Sequence, residues 1–218
     1  MAPSWQGQRG AATRVILLRH GQTALSVDRR YSGRGNPELT ETGRRQAQAA
    51  AAAFGSLAHA GDGEIAAVVS SPLRRTLQTA GAVAERIGVD VDEHEGLIET
   101  DFGEWEGLTF TEAAARDPHV HARWLGDVEV PAPGGESFAA VAKRVSDVKD
   151  ELVQRYPGQT VVVVSHVTPI KSLLREALRV GPELLFRLHL DLASISIAEF
   201  FDDGGSVVRL VNDTSHLR

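Results

Sequence analysis

Short unbroken apolar runs alternate along the chain with longer stretches in which polar residues interrupt the apolar positions. Val15-Ile16-Leu17-Leu18 has the β-branched and aliphatic composition of a strand covered on both faces in a parallel sheet. Residues 65–70 (IAAVVS) and 161–165 (VVVVS) repeat that pattern. Thr40 as an N-cap, with Glu41 in the first turn, predicts a helix through RRQAQAAAAAF to about Phe54. Pro72 and Pro169 predict the starts of two more helices, the first running to about Ile87. Residues 193–200 (ASISIAEF) and 206–211 (SVVRLV), joined across DDGG, predict a terminal hairpin at an antiparallel edge. The expected architecture is α/β: three layers, α/β/α, around a mostly parallel central sheet.

Residues 98–135 break this rhythm. They carry ETDFGEWEGLTF, a helical stretch (TEAAARDPHVHARWL) and the turn-rich VPAPGGES, so an inserted helical lid is expected there. No internal repeat is visible, and one domain over 14–218 suffices. Residues 1–13 are small, polar and Gly-rich, and read as a disordered tail or linker, with Arg14 as the first ordered residue.

Composition narrows the function. With 42% hydrophobic and 24% charged residues, the chain is not of the disordered class. A net charge of -6 repels nucleic acid and anionic membrane, so any anionic ligand must be held by a local basic pocket. Cysteine is absent, which removes thiolate metal sites and cysteine nucleophiles. No stretch approaches the roughly 20 apolar residues of a membrane span. The start, MAPSWQGQRGAAT, lacks the apolar region of a secretory signal, and a cytoplasmic location is expected.

In parallel sheets ligands sit at the carboxyl ends of the strands. Arg19 and His20 leave the first predicted strand, Ser70, Ser71, Arg74 and Arg75 the second, Ser165 and His166 the third. Guanidinium groups bind an oxyanion such as phosphate bidentately and keep their charge. A neutral imidazole can attack phosphorus if its other ring nitrogen is tied to an acceptor that fixes the tautomer. His20 fits that role, with Arg19, Arg75 and His166 stabilising the spread of charge, and the chemistry asks for no metal or other cofactor.

The residues Leu18-Arg19-His20-Gly21-Gln22-Thr23 resemble the R-H-G-x-T signature of the histidine phosphatase superfamily, with its phosphoglycerate-mutase-like fold. The likeness continues in order through Tyr31-Ser32-Gly33, Leu39-Thr40-Glu41-Thr42-Gly43, Ser70-Ser71-Pro72-Leu73-Arg74-Arg75-Thr76, Leu97-Ile98-Glu99, Gly134-Gly135-Glu136-Ser137-Phe138 and Val164-Ser165-His166. It implies His20 as the phosphorylated nucleophile, Arg19 and Arg75 as phosphate-binding arginines, and His166 as a second histidine flanking the phosphate. Glu99 matches the general acid that protonates the leaving oxygen and then activates water. Thr23, Ser32 and Gly33, with Gln22 and Val167, form the expected substrate-binding set, and the expected partner is a small-molecule phosphate ester. Ser26 stands where many members have Asn, and Val167 where many have Gly.

RYSGRGNPELT, DFGEWEG, GGESF and VVSH look most like the α-ribazole phosphatase branch of cobalamin assembly, and broad-specificity acid phosphatases share much of the set. The chain also resembles the phosphatase half of actinobacterial proteins in which ribonuclease H precedes such a domain. A phosphoglycerate mutase and an inactive module that binds phosphate esters are the alternatives. His119 and His121, at i, i+2, do not share a helix face and are not expected to pair on a metal. His59, His94 and His189 are expected at the surface, and His216 at most at a rim. Trp105 and Trp124 are expected to pack the lid, with ligand stacking as the alternative.

Overall fold

The computed structural model describes residues 10–57 and 64–218. The elements run β1 (Thr13–Arg19), α1 (Ala24–Val27), α2 (Glu41–Leu57), β2 (Ile65–Ser70), α3 (Arg74–Ile87), β3 (Val91–Glu93), α4 (Phe110–Arg116), α5 (Pro118–Trp124), α6 (Phe138–Arg155), β4 (Thr160–Ser165), α7 (Val167–Leu178), α8 (Leu184–Arg187), β5 (Ile195–Phe200) and β6 (Ser206–Asp213). One six-stranded sheet has the order β3-β2-β4-β1-β5-β6. Its first four strands are mutually parallel, while β5 runs antiparallel to β1 and β6 to β5. The three-layer α/β/α class and the antiparallel edge hairpin are therefore as the sequence pattern implied.

The two-residue period of the strands sorts side chains to two cores. Val15, Leu17, Val161 and Val163 face α6 and α7, while Ile16, Leu18, Val162 and Val164 face α2 and α3. Every residue of β4 is buried, as a central strand covered on both faces requires. A register shift between Ile65 and Ala67 lets β2 place Ile65 and Val68 in the same core despite their odd spacing.

Several details differ from expectation. α6 was not among the expected elements, although Phe138, Val141, Val145, Val148 and Leu152 recur at helical spacing and are all buried. Ser137 caps it by accepting from the Ala140 amide at 3.1 Å. Pro72 lies outside α3, whose N-cap is Leu73, and α7 starts two residues before Pro169. Thr13 is not part of a tail: it pairs with Phe200, and its Oγ1 donates to the Tyr156 carbonyl at 2.9 Å. Residues 1–9 and His59 lie outside the described residues. Among the described residues no helix is long and apolar enough to cross a membrane.

The segment between β3 and β4 builds a cap over the carboxyl ends of the strands. Its Phe102, Trp105, Trp124 and Phe138 form an aromatic core with Ala113 and Val130, joined by Tyr31 from the connection between α1 and α2 and by Leu185 of α8. Trp105 is fully buried and donates Nε1–H to Asp117 at 2.8 Å. His121 is buried beside it and bonds the Tyr31 hydroxyl at 2.9 Å, a structural role, while His119 is exposed.

Candidate active site

β1 and β4 are neighbours, so their ends bring His20 and His166 together, and the His20 amide donates to the Ser165 carbonyl at 3.1 Å. The imidazole centroids are 5.2 Å apart. Gly21 is needed here because the chain passes close to α2: a Cβ would stand 2.5 Å from the Gly43 carbonyl oxygen.

His20 Nδ1 lies 2.8 Å from the Gly21 carbonyl oxygen. A carbonyl only accepts, so Nδ1 carries the proton and Nε2 keeps its lone pair. Burial, followed by the charges of Arg75 and Arg19, holds the His20 imidazolium form well below its ordinary range. The resting ring is neutral, with one nitrogen ready to attack an electrophile.

Arg19 lies on the same strand end. Its Nη1 donates to the Leu190 carbonyl at 2.5 Å, while its buried Nε has no partner. Burial lowers its pKa to about 10, which leaves it cationic at neutral pH. An unpaired buried polar group costs about 1–3 kcal/mol, so Arg19 Nε is placed to be satisfied by an anion.

Arg75 is fully buried. Its Nη1 donates to the Gly35 carbonyl at 2.7 Å and its Nη2 to the Ser32 and Gly33 carbonyls at 3.1 and 2.9 Å. Arg75 Nε donates to His166 Nδ1 at 3.3 Å, so His166 carries its proton on Nε2 and gives it to Ser71 Oγ at 2.8 Å. Burial, then the Arg75 charge, keeps His166 neutral as well. In this conformation both side chains bond protein groups and stand outside the cavity lining, while Arg75 Nη1 keeps a second N–H beyond its bond to Gly35 and the His166 ring stays 5.2 Å from that of His20. Cationic Arg75 and neutral His166 form a hydrogen-bonded pair, and the Arg75 charge acts on His20.

A cavity of 1220 Å³ opens at this rim, lined by Arg19, His20, Thr23, Ser32, Glu99 and Val167 among others. Glu99 is buried, and its Oε1 accepts from the Thr100 amide at 2.8 Å. Its Oε2 has only a long contact, 3.4 Å, to the Thr168 amide. Ser32 Oγ is a second buried polar atom without a partner. Two members of the expected binding set fall elsewhere. Gln22 turns toward α2, accepting from Thr40 Oγ1 at 2.8 Å, and Gly33 packs where a Cβ would meet the Thr100 carbonyl oxygen at 2.1 Å.

Sequence reasoning placed Ser71 at the rim without a role and missed several other residues. Ser71 fixes His166, and Lys171 lines the cavity while donating to the Leu185 carbonyl at 2.7 Å. Arg144 pins the segment carrying Glu99, through the Gly96 and Glu99 carbonyls at 2.7 and 3.1 Å and through Glu136. Glu106 accepts from the Gly33 and Gly35 amides, holding the loop whose carbonyls receive Arg75. Glu136 and Glu106 stood inside matched motifs, but nothing local marked Arg144 or Lys171. His94 bonds Glu151, and His189 bonds Asp191 at the cavity mouth. Among the described residues no cluster of three or more His, Asp or Glu could hold a metal ion.

Residues 15–214 match the family model described as histidine phosphatase superfamily (branch 1). A bifunctional protein of Mycobacterium tuberculosis is 59% identical over 216 residues, 99% of this chain. The chain spans 58% of that relative's length. Phosphoserine phosphatase 1 of Hydrogenobacter thermophilus is 33% identical over 205 residues, covering 94% of each chain. The mycobacterial glucosyl-3-phosphoglycerate phosphatase, solved with VO3, superposes with a TM-score of 0.82 at 32% identity, covering 93% of this chain and all of that one.

Proposed function

The chain belongs to the histidine phosphatase superfamily, and from that premise we propose that it is a phosphomonoesterase that works without a metal through phospho-His20. The observation that carries the proposal is the neutral His20, its Nδ1–H tied to the Gly21 carbonyl, beside the unpaired guanidinium edge of Arg19.

His20 Nε2 attacks phosphorus as the ester P–O bond breaks, and Glu99 gives its proton to the departing oxygen. Arg19 Nε and Ser32 Oγ receive the non-bridging oxygens, while the buried charge of Arg75 stabilises the transferring group. Water then attacks phosphohistidine, Glu99 takes its proton, the P–N bond breaks and inorganic phosphate leaves. Thr23 and Val167 line the approach. Arg75 and His166 act as positioning residues in this scheme.

The finer reading of the motifs is an α-ribazole phosphate phosphatase of cobalamin synthesis, with a broad-specificity acid phosphatase as the wider form. Serine phosphate and glucosyl-3-phosphoglycerate, after which the relatives are named, are rival substrates. The bifunctional relative supports the reading that this domain operates beside a second one; a ribonuclease H as that second domain and a cytoplasmic setting extend the reading from the sequence alone.

Rapid quenching with a 32P-labelled monoester tests the chemistry. Acid-labile, alkali-stable label on the peptide containing His20, absent in His20→Ala, is expected. Phosphate release that survives in His20→Ala overturns the proposal. Isomerisation of 3-phosphoglycerate faster than its hydrolysis would replace it with the mutase reading.

A further inference from the structure

A phosphate group alone fills little of a 1220 Å³ cavity, and the far end of that cavity differs in chemistry from the His20 end. Its wall is aromatic: Tyr31 meets Phe110 at 4.7 Å and Trp124 at 5.7 Å between centroids, and Trp124 meets Phe138 at 4.6 Å. Phe110, Leu125 and Phe186 border the same space and are 57%, 49% and 36% exposed. An apolar rim continuous with a polar pocket is the form of a ligand groove.

Trp124 carries the more specific signal. It is 4% exposed, it lines the cavity, and its Nε1–H is buried without an acceptor. Trp105, in the same aromatic core, gives its Nε1–H to Asp117, so an unpaired indole is not a general property of the cap. Arg30 and Lys171, two nearby cations, are engaged by Glu112 and by the Leu185 carbonyl. Tyr31 and Ser32 both line this cavity, so the aromatic wall and the residue with the unpaired Oγ border one space.

We propose that the leaving group of the substrate is a flat ring system with a hydrogen-bond acceptor on its edge. It stacks among Tyr31, Phe110, Trp124 and Phe186 and accepts the Trp124 Nε1–H, which makes Trp124 the specificity-determining residue of the cap. This rests on the phosphomonoesterase reading above. A short aliphatic alcohol such as serine would leave both the exposed rim and the indole N–H uncovered.

The test compares kcat/KM for 2-naphthylmethyl phosphate, 6-quinolinylmethyl phosphate, phosphoserine and 3-phosphoglycerate. All four release a primary alcohol, so chemical reactivity is closely matched, and phosphoserine and 3-phosphoglycerate each carry a carboxylate that Arg29, exposed at the mouth, could recognise. Both ring esters should exceed phosphoserine and 3-phosphoglycerate by about tenfold or more, with the quinoline severalfold above the naphthalene. Trp124→Phe keeps a ring and removes the donor, and should erase the quinoline preference. Phe186→Ala, at the exposed rim, should narrow the gap between ring and serine esters through KM, and serves if Trp124→Phe fails to fold.

Equal turnover of phosphoserine or 3-phosphoglycerate, or a quinoline preference that persists in Trp124→Phe, overturns the inference. Phosphate release without ring preference defeats this inference alone. No release from any ester defeats the phosphatase reading with it.

Discussion

The two ends of the cavity are built on different principles. The His20 end is made of strand termini, where parallel β1 and β4 fix Arg19, His20 and His166 by backbone register. The cap end is made of side chains packed on one another: Trp105, Trp124 and Tyr31, carried by short helices and turns, and Phe138 at the start of α6. Backbone register is shared across a sheet and changes little when leaving groups change, whereas a packed cap can be rebuilt residue by residue. Chemistry is thus expected to reside at the first end and selectivity at the second.

The largest effect should come from the strand-end side. Arg19→Ala removes the unpaired Nε and should lower kcat/KM on any ester by about a hundredfold or more, with Arg19→Lys failing to restore it. Steady-state assays on ring and serine esters check this. Equal losses on both mark a phosphate contact, and a loss confined to one would break the division between the ends.

Glu106 joins the two ends, because its carboxylate holds the Gly33 and Gly35 amides and those residues' carbonyls hold Arg75. Glu106→Ala should lower kcat by about tenfold and stability by roughly 1–3 kcal/mol, read by assay and by urea denaturation. A wild-type kcat would show that the Arg75–His166 pair does not depend on the cap.

Protonation acts at both ends, since burial lowers the pKa of His121 in the cap as well as those of the two strand-end histidines. His20 and His166 have folded-state pKa values well below the ordinary value of 6.5, chiefly through burial. The unfolded chain therefore binds more protons, so their contribution to stability is present above about pH 6.5 and is lost as pH falls below it. Urea midpoints should drop between pH 7.5 and 5, and His166→Gln should flatten that slope. The acid limb of kcat/KM should likewise lie below 6.5, since free His20 stays neutral to a lower pH.

The smallest effect should come from Arg74, next in sequence to Arg75. It pairs at 3.0 Å with Glu38, both side chains about half exposed. Arg74→Ala should change stability by about 1 kcal/mol or less and leave kcat/KM at the wild-type level. A loss comparable to that of Arg75→Ala would mean that the two arginines had been assigned the wrong way round.

Much was legible because it is local. A strand covered on both faces must be a continuous apolar run, so 15–18, 65–70 and 161–165 announce β1, β2 and β4, and the polar residues that end them announce the rim. The ordered motifs then name His20, Arg19 and Glu99, and all three reach the cavity. What the sequence could not determine is which polar group meets which partner. Arg75 and His166 carry the right chemistry for a phosphate, yet the loop of Ser32 and Gly35 and the hydroxyl of Ser71 claim their nitrogens. Gln22 is claimed by Thr40, and Trp124 differs from Trp105 only in having no Asp117. Hydrogen-bond partners and cavity walls come from residues tens of positions apart, and only the folded chain sets those distances.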